Sequence, residues 1–425
     1  MVSSLLLALC AATAWGENVR ERDGLLPLSF YNASLLAQTR AAIARGDAAV
    51  LPAYAALLAA ADAALRRGPW SVTQQYNSSL IPFPCSPRAY TSVGFYYWPC
   101  TETPPGQPAR NASGCNASSG LPWRYWDGDV SPYAGAFDLF IWGDAASALQ
   151  TLGLAYHFSG NETFAARAAL LARAWFTDAG TGMLPSLDHA QFTPGVNTGT
   201  GTGIIDLDEY LATGLLDALV MLRPSRAWRG EDEAAMQAWA RAYTEWLLTS
   251  PLAAHEARTL NNHRAYFDAQ LLQLALYAGN ASLAAARAPG EGAVLDVQIA
   301  PSGELYLETA RTRSQHYVSF CLHAYVGLAA GAARAGVDLW RYRTANASSL
   351  LAAVQFLLPY SNGSAAWPWE NLDGPAWSWA ELFDVYRAAA AALPAHAPAL
   401  LAAADSTVNA TGAGDVRRLT WPVAE

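Results

Sequence analysis

Two short stretches of the chain hold residues whose types and spacing suit carboxylate binding beside proton transfer. In TLNNHRAYFDAQ, Asn261, Asn262 and His263 stand at the start of an amphipathic helical pattern. Asn261 is placed to cap that helix, its side chain accepting from a first-turn amide. Asn262 and His263 then fall in the first turn, where unpaired backbone amides and the positive dipole end favour an anion. The second stretch is ETARTRSQHY, Glu308 to Tyr317. Arg313 and Tyr317 are four residues apart and share one face of a continuous helix. Arg311, six before Tyr317, points elsewhere unless the helix starts between them. A guanidinium beside a phenol favours the ionised form, which helps proton transfer near neutrality. The blander alternatives are a helix start that Asn261 to His263 merely cap, and an ion-pair cluster of the arginines with Glu304 or Glu308.

Aromatic residues gather in Pro- and Gly-flanked segments: Tyr96-Tyr97-Trp98, Trp123, Tyr125-Trp126 and Trp367-Pro368-Trp369. Flat rings in loops suit pyranose faces, because they offer apolar area at little cost in side-chain entropy. With 16 Trp in the chain, some of these are expected to bind sugar and the rest to pack under loops. Carboxylates supply a rival site. Asp127 with Asp129, or Asp206 with Asp208 and Glu209, could form the acid/base pair of a glycoside hydrolase. Asp206 and Asp208 are equally placed to cap the helix that follows. No HExxH, paired-cysteine metal pattern, GxSxG elbow or phosphate-binding glycine loop occurs, so neither cofactor nor metal is expected. The glycine-rich run Gly195 to Gly203 reads as a flexible cleft loop.

The elements that must position these residues are mostly helical. LLAQTRAAIARG and VLPAYAALLAAADAALRRG carry basic residues in their last turns and end at Gly46 and Gly68. The segments around DAASALQTLGLAYHFSG and NETFAARAALLARAWF predict a helical hairpin turning at Gly160. Further helices are predicted over Asp208–Leu222, Asp232–Leu248, Asn262–Tyr277, Ser314–Ala335, Ala345–Leu357, Ala376–Ala391 and Pro398–Ala404. One strand pattern, VLDVQIAPSGELYLE, suggests a small hairpin about Ser302-Gly303. The long irregular part, about residues 69–136, has the composition of cleft walls. No linker or fixed-period repeat appears, so residues 17–425 are expected to form one all-α domain, an α/α toroid of helical hairpins.

Composition limits the partners. The 425 residues are 52% apolar and 14% charged, with a net charge of −9 and no lysine. Nucleic-acid binding is disfavoured, and a polyanion would have to be met by a few arginines concentrated in one cleft. MVSSLLLALCAATAWG, residues 1–16, reads as a secretory signal rather than a membrane span, and no later run is long and apolar enough for one. Nine Asn-x-Ser/Thr sites agree with export. A secreted, glycosylated monomer is expected. Of the cysteines beyond the signal, Cys85, Cys100 and Cys115 cluster in a loop-like region, where Cys100–Cys115 is the favoured pair, while Cys321 lies in a helical apolar pattern and reads as a buried thiol.

In this order, SVGFYYWPC, GLPWRYWDGDVSP, AQFTPGVNTGTGTGIIDL, NNHRAYFDAQ and LETARTRSQHY resemble the alginate lyase superfamily of helical-toroid polysaccharide lyases, in the branch that cleaves glucuronan and alginate. The resemblance runs from about Tyr90 to Tyr317. It implies β-elimination on a 1,4-linked uronic-acid polymer, glucuronan or polymannuronate. Asn262 and Arg311 would neutralise the substrate carboxylate, and His263 would assist them or take the proton at carbon 5. Tyr317 would protonate the leaving oxygen at carbon 4. Tyr97, Arg124, Gln191 and Arg313 would line the subsites. CTETPPGQPARNASGC, Cys100 to Cys115, looks like an insertion in the entrance loop. A hydrolase of similar shape, or a non-catalytic carbohydrate-binding protein, are the alternatives.

Overall fold

The computed structural model describes residues 25–75, 83–111, 113–202, 206–374, 377–408 and 414–421. The stretch read as a signal, 1–16, and the sequons at Asn77 and Asn409 lie outside the described residues. The chain is a run of antiparallel helices bent into an incomplete toroid, with two very small sheets at the cleft. The first pair is α1 (Ala33–Arg45) and α2 (Leu51–Ala64). Then come α3 (Asp138–Ser159) and α4 (Glu162–Ala172), a hairpin that turns at Gly160 as its sequence indicates. The region predicted as one helix over 208–222 is instead two, α5 (Asp208–Ala212) and α6 (Leu215–Leu222), separated at Gly214. Next are α7 (Gly230–Thr249), α8 (Pro251–Glu256), α9 (Asn262–Tyr277), α10 (Ala281–Arg287), α11 (Glu291–Gln298) and α12 (Tyr306–Thr309). The chain closes with α13 (Ser314–Arg334), α14 (Leu350–Ser361), α15 (Phe383–Ala392) and α16 (Ala397–Thr407).

The hairpin expected about Ser302-Gly303 does not form. VLDVQ is the body of α11, and Ser302-Gly303 is a tight turn leading to α12. Gly303 has φ 93° and sits against α14, where a Cβ would collide with the Ala352 carbonyl. That packing selects the turn, and the alternating pattern is outweighed by burial of Leu295 and Ile299. Strands occur elsewhere: β1 (Thr91–Val93) pairs in parallel with β4 (His189–Phe192), and β2 (Tyr97–Trp98) pairs antiparallel with β3 (Arg124–Tyr125).

Helix α9 decides where the site lies. Its sequence reads as amphipathic, yet it is buried nearly all round because it separates two cores. Phe267, Leu271 and Leu274 enter the core built on α3, α4, α6 and α7, with Trp142, Trp175 and Phe176. Tyr266, Ala269 and Leu272 enter the other, with Tyr325, Phe383 and Tyr386. Its polar residues are therefore tied inside the protein; Gln273, for example, donates to the Gly327 carbonyl of α13 at 2.9 Å. Held on both sides, α9 and α13 present their N-terminal ends as a fixed pair. Asp217 of α6 is buried and accepts from the amides of Ser29, Phe30 and Tyr31, fixing the segment that leads into α1. Among the described residues no helix is long and apolar enough to cross a membrane.

Candidate active site

The helix carrying Tyr317 starts between the two arginines: Ser314 is its first residue and Arg313 its N-cap position. Arg311 therefore lies in the break after α12 and folds back, its guanidinium carbon 3.7 Å from the centroid of the Tyr317 ring. Arg313, with the better helical phase, instead forms a forked pair with Asp373 at 2.8–3.1 Å. Neither arginine meets Glu304 or Glu308 as an ion pair. Arg311 is fixed by Asp127, through Nη2 at 2.5 Å and Nε at 3.2 Å, and Thr312 adds a hydroxyl bond at 3.0 Å. The Tyr125 hydroxyl donates to Asp127 Oδ1, the oxygen that also accepts from Arg311 Nη2, at 2.6 Å. Burial works against the charge on Asp127, but Arg311 and Tyr125 outweigh it and hold the carboxyl well below its ordinary range. It cannot serve as a general acid near neutrality.

Asn261 caps α9, accepting from the His263 amide at 3.1 Å, as its position predicts. The anion at this helix start is the protein's own Glu308. Its buried carboxylate accepts from the Asn262 backbone amide at 2.5 Å and from Asn262 Nδ2 at 2.8 and 3.1 Å. Burial pushes the Glu308 carboxyl up, and the Asn262 bonds pull it part of the way back. His263 is joined through Nδ1 to the buried Glu256 carboxylate at 2.7 Å, which leaves Nε2 without a partner among the described residues. Burial pulls its pKa down, but the Glu256 charge and hydrogen bond prevail and the net direction is upward. Arg311 and Glu308 both act electrostatically on His263, so helix starts α9 and α13 and the α12 break converge on one locus.

Tyr317 is 6% exposed and its hydroxyl lies 2.7 Å from that of Tyr96, also 6% exposed. Burial raises the phenol well above its ordinary value, and the Arg311 cation pulls the other way without cancelling it. A lowered phenol is the sequence-level expectation; the buried setting reverses it and keeps Tyr317 protonated, as a proton donor requires.

The subsite residues divide. Gln191 is buried on β4 with a left-handed backbone (φ 51°), its amide bonded to Ser92 Oγ and its Nε2 to Asp206 at 2.6 Å. Tyr97, half-buried on β2, packs against the Tyr125 ring at 5.3 Å. Arg124 turns outward and donates to the carbonyls of Asn111 and Ser113, tying down the loop closed by the Cys100–Cys115 disulfide. Cys321 is a buried free thiol. Asp206 does not cap α5. It accepts from Tyr90, Ser92 and Gln191, and burial moves its carboxyl up to about 6 against those bonds. Within the glycine-rich run Gly199 is closed in, since a Cβ there would enter the Phe83 ring, while Val196 is exposed.

Sequence reasoning passes over Tyr96, Glu256 and the part Glu308 plays. Tyr96 stands in the aromatic run with no feature to separate it from Tyr97. Glu256 sits at the end of a separate short helix, with no spacing signal toward His263.

A protein-family model described as alginate lyase matches residues 86–367. Among solved structures, the chain is similar to an alginate lyase from Bacteroides ovatus, with 30% identity and a TM-score of 0.83, over 94% of this chain and 100% of that one. It is also similar to alginate lyase A1-III from Sphingomonas species A1, with 16% identity and a TM-score of 0.50, over 88% and 96% of the two chains. The second likeness speaks for the fold alone. No curated protein sequence matches the chain.

Proposed function

The chain belongs to the alginate lyase family and is a polysaccharide lyase, and from that premise we propose that it cleaves alginate by β-elimination at the locus of Asn262, His263, Arg311 and Tyr317. The observation that carries the reading is the Arg311 guanidinium stacked on the buried Tyr317 ring. Carboxylate neutralisation and proton donation are needed at adjacent carbons of a uronate, and this pair offers them side by side.

A guanidinium has five N–H donors, and Asp127 takes two of Arg311's, leaving three for the substrate carboxylate. Neutralising that carboxylate makes the C5 proton removable. The electron pair of the C5–H bond becomes the C4=C5 double bond, the C4–O bond breaks, and O4 takes the Tyr317 proton. Where the C5 proton and O4 share a face, as in mannuronate and glucuronate, the Tyr317 oxygen takes the C5 proton while passing on its own, beginning and ending neutral. Where they lie on opposite faces, as in guluronate, His263 Nε2 is the base and later returns its proton through water. Alginate is preferred over glucuronan because the relative at 30% identity is named for it. Rings such as Tyr97 and Tyr125 supply faces for the sugars. Export as a glycoprotein fits as well: the seven sequon asparagines within the described residues, Asn32, Asn111, Asn116, Asn161, Asn280, Asn346 and Asn362, are all exposed.

The test is incubation with polymannuronate, polyguluronate and glucuronan, following ultraviolet absorbance of the new conjugated double bond. Tyr317→Phe is expected to reduce the signal to a small residual rate. New reducing ends without that absorbance would instead support hydrolysis.

A further inference from the structure

We propose that Tyr96 is a positioning residue for the elimination, donating its hydroxyl hydrogen to Tyr317 and so aiming the Tyr317 proton into the cleft. The inference rests on the proposed role of Tyr317 and extends it to a residue 221 positions away.

The pair of phenols is 2.7 Å apart and almost closed to water. Only one of two hydroxyls in such a contact can be the donor, and the other keeps its hydrogen free for a third group. If Tyr317 donated to Tyr96, its hydrogen would point away from O4 and the leaving oxygen would have no acid. With Tyr96 as donor, the Tyr317 hydrogen is the free one. The same bond acts again during the reaction. As the C4–O bond breaks, negative charge gathers on the Tyr317 oxygen, and a donor already at bonding distance needs no reorganisation to meet it. Arg311 meets that charge from the ring face at 3.7 Å.

Tyr96 is held to this task. Its carbonyl accepts from the Trp126 amide at 2.9 Å, and the preceding carbonyl, of Phe95, accepts from Ser131 at 2.6 Å. The Phe95 ring covers it at 4.2 Å and the Tyr125 ring meets it edge-on at 6.2 Å. A side chain needed only to fill space would not require its hydroxyl at this point.

The experiment compares Tyr96→Phe, Tyr317→Phe and the double variant with the wild type, measuring kcat and KM on polymannuronate, with melting temperatures as a check on folding. Loss of one charge-assisted hydrogen bond predicts a fall in kcat of roughly 10- to 100-fold for Tyr96→Phe, with KM nearly constant. The double variant should be no slower than Tyr317→Phe alone, since Tyr96 acts only through Tyr317. A kcat within about twofold of wild type, a loss confined to KM, or a double variant clearly slower than Tyr317→Phe would each overturn the proposal. Full activity in Tyr317→Phe would instead sink the assignment of Tyr317 itself, whatever Tyr96 does.

Discussion

Asp127→Ala separates two things that a carboxylate beside Arg311 can do. It can orient the guanidinium for the substrate, or it can compete with the substrate for it. The two side chains are each 20% exposed, so the pair is screened only in part. The substitution removes the bonds at 2.5 and 3.2 Å to Arg311, and with them the acceptor for Thr312 and Tyr125. Truncating one partner of a largely desolvated pair costs about 2–5 kcal/mol, and the partial exposure argues for the lower half. Taking about 2–3 kcal/mol as lost transition-state stabilisation gives a fall of roughly 30- to 150-fold in kcat/KM. The loss should lie mainly in kcat, because Arg311 keeps its charge and loses its aim. Asp127→Asn keeps an acceptor and should lose only about 5- to 10-fold, the worth of a neutral bond against an ionic one. Initial rates from double-bond absorbance on polymannuronate, across substrate concentration, give both constants. An Asp127→Ala enzyme with unchanged kcat and a lower KM would refute orientation and establish competition. No change in either constant would remove Arg311 from the site.

Two other substitutions test the electrostatics. His263→Ala should slow cleavage of guluronate-rich alginate at least about 10-fold more than mannuronate-rich alginate, as expected for loss of a general base worth 10²- to 10⁴-fold on one substrate only; equal losses on both would contradict the two-route scheme. Asp138 is buried, its Oδ2 accepts from the Thr91 amide at 2.7 Å, and its Oδ1 has no partner among the described residues. Burial pushes its carboxyl up to about 8, above any unfolded value, so the stability of the neutral form is complete below the unfolded pKa and is lost as pH rises toward 8. Asp138→Asn mimics the neutral acid, and its stability relative to wild type should rise by a few kcal/mol from about pH 5 to about pH 8. Denaturant titrations at the two pH values measure this, and parallel curves would count against it.

Much of this protein was decided locally. The Asn261 cap, the first-turn placement of Asn262 and His263, and the turn at Gly160 follow from side chains meeting backbone groups a few residues away. Such contacts form in the same way wherever the segment is put. Helical spacing gave the long helices for the same reason, although it read α9 as amphipathic when two cores enclose it. What needed the tertiary structure was each contact between distant segments. Spacing favoured Arg313 for Tyr317, but the helix begins at Ser314, and Asp127, 184 residues earlier, draws Arg311 over the ring instead. Glu308 takes the helix start that looked free for a ligand, because α12 brings it there. Arg124 shares a matching motif with the cleft residues yet faces the disulfide loop, since two carbonyls of that loop lie within its reach. The phenol of Tyr317 was expected to be lowered by a neighbouring cation and is raised, because burial is a property of the whole fold and outweighs one charge. Residue type and spacing thus determined which chemistry the chain could carry. The packing of α9 against α13 and the cleft strands determined which of the eligible residues are brought together.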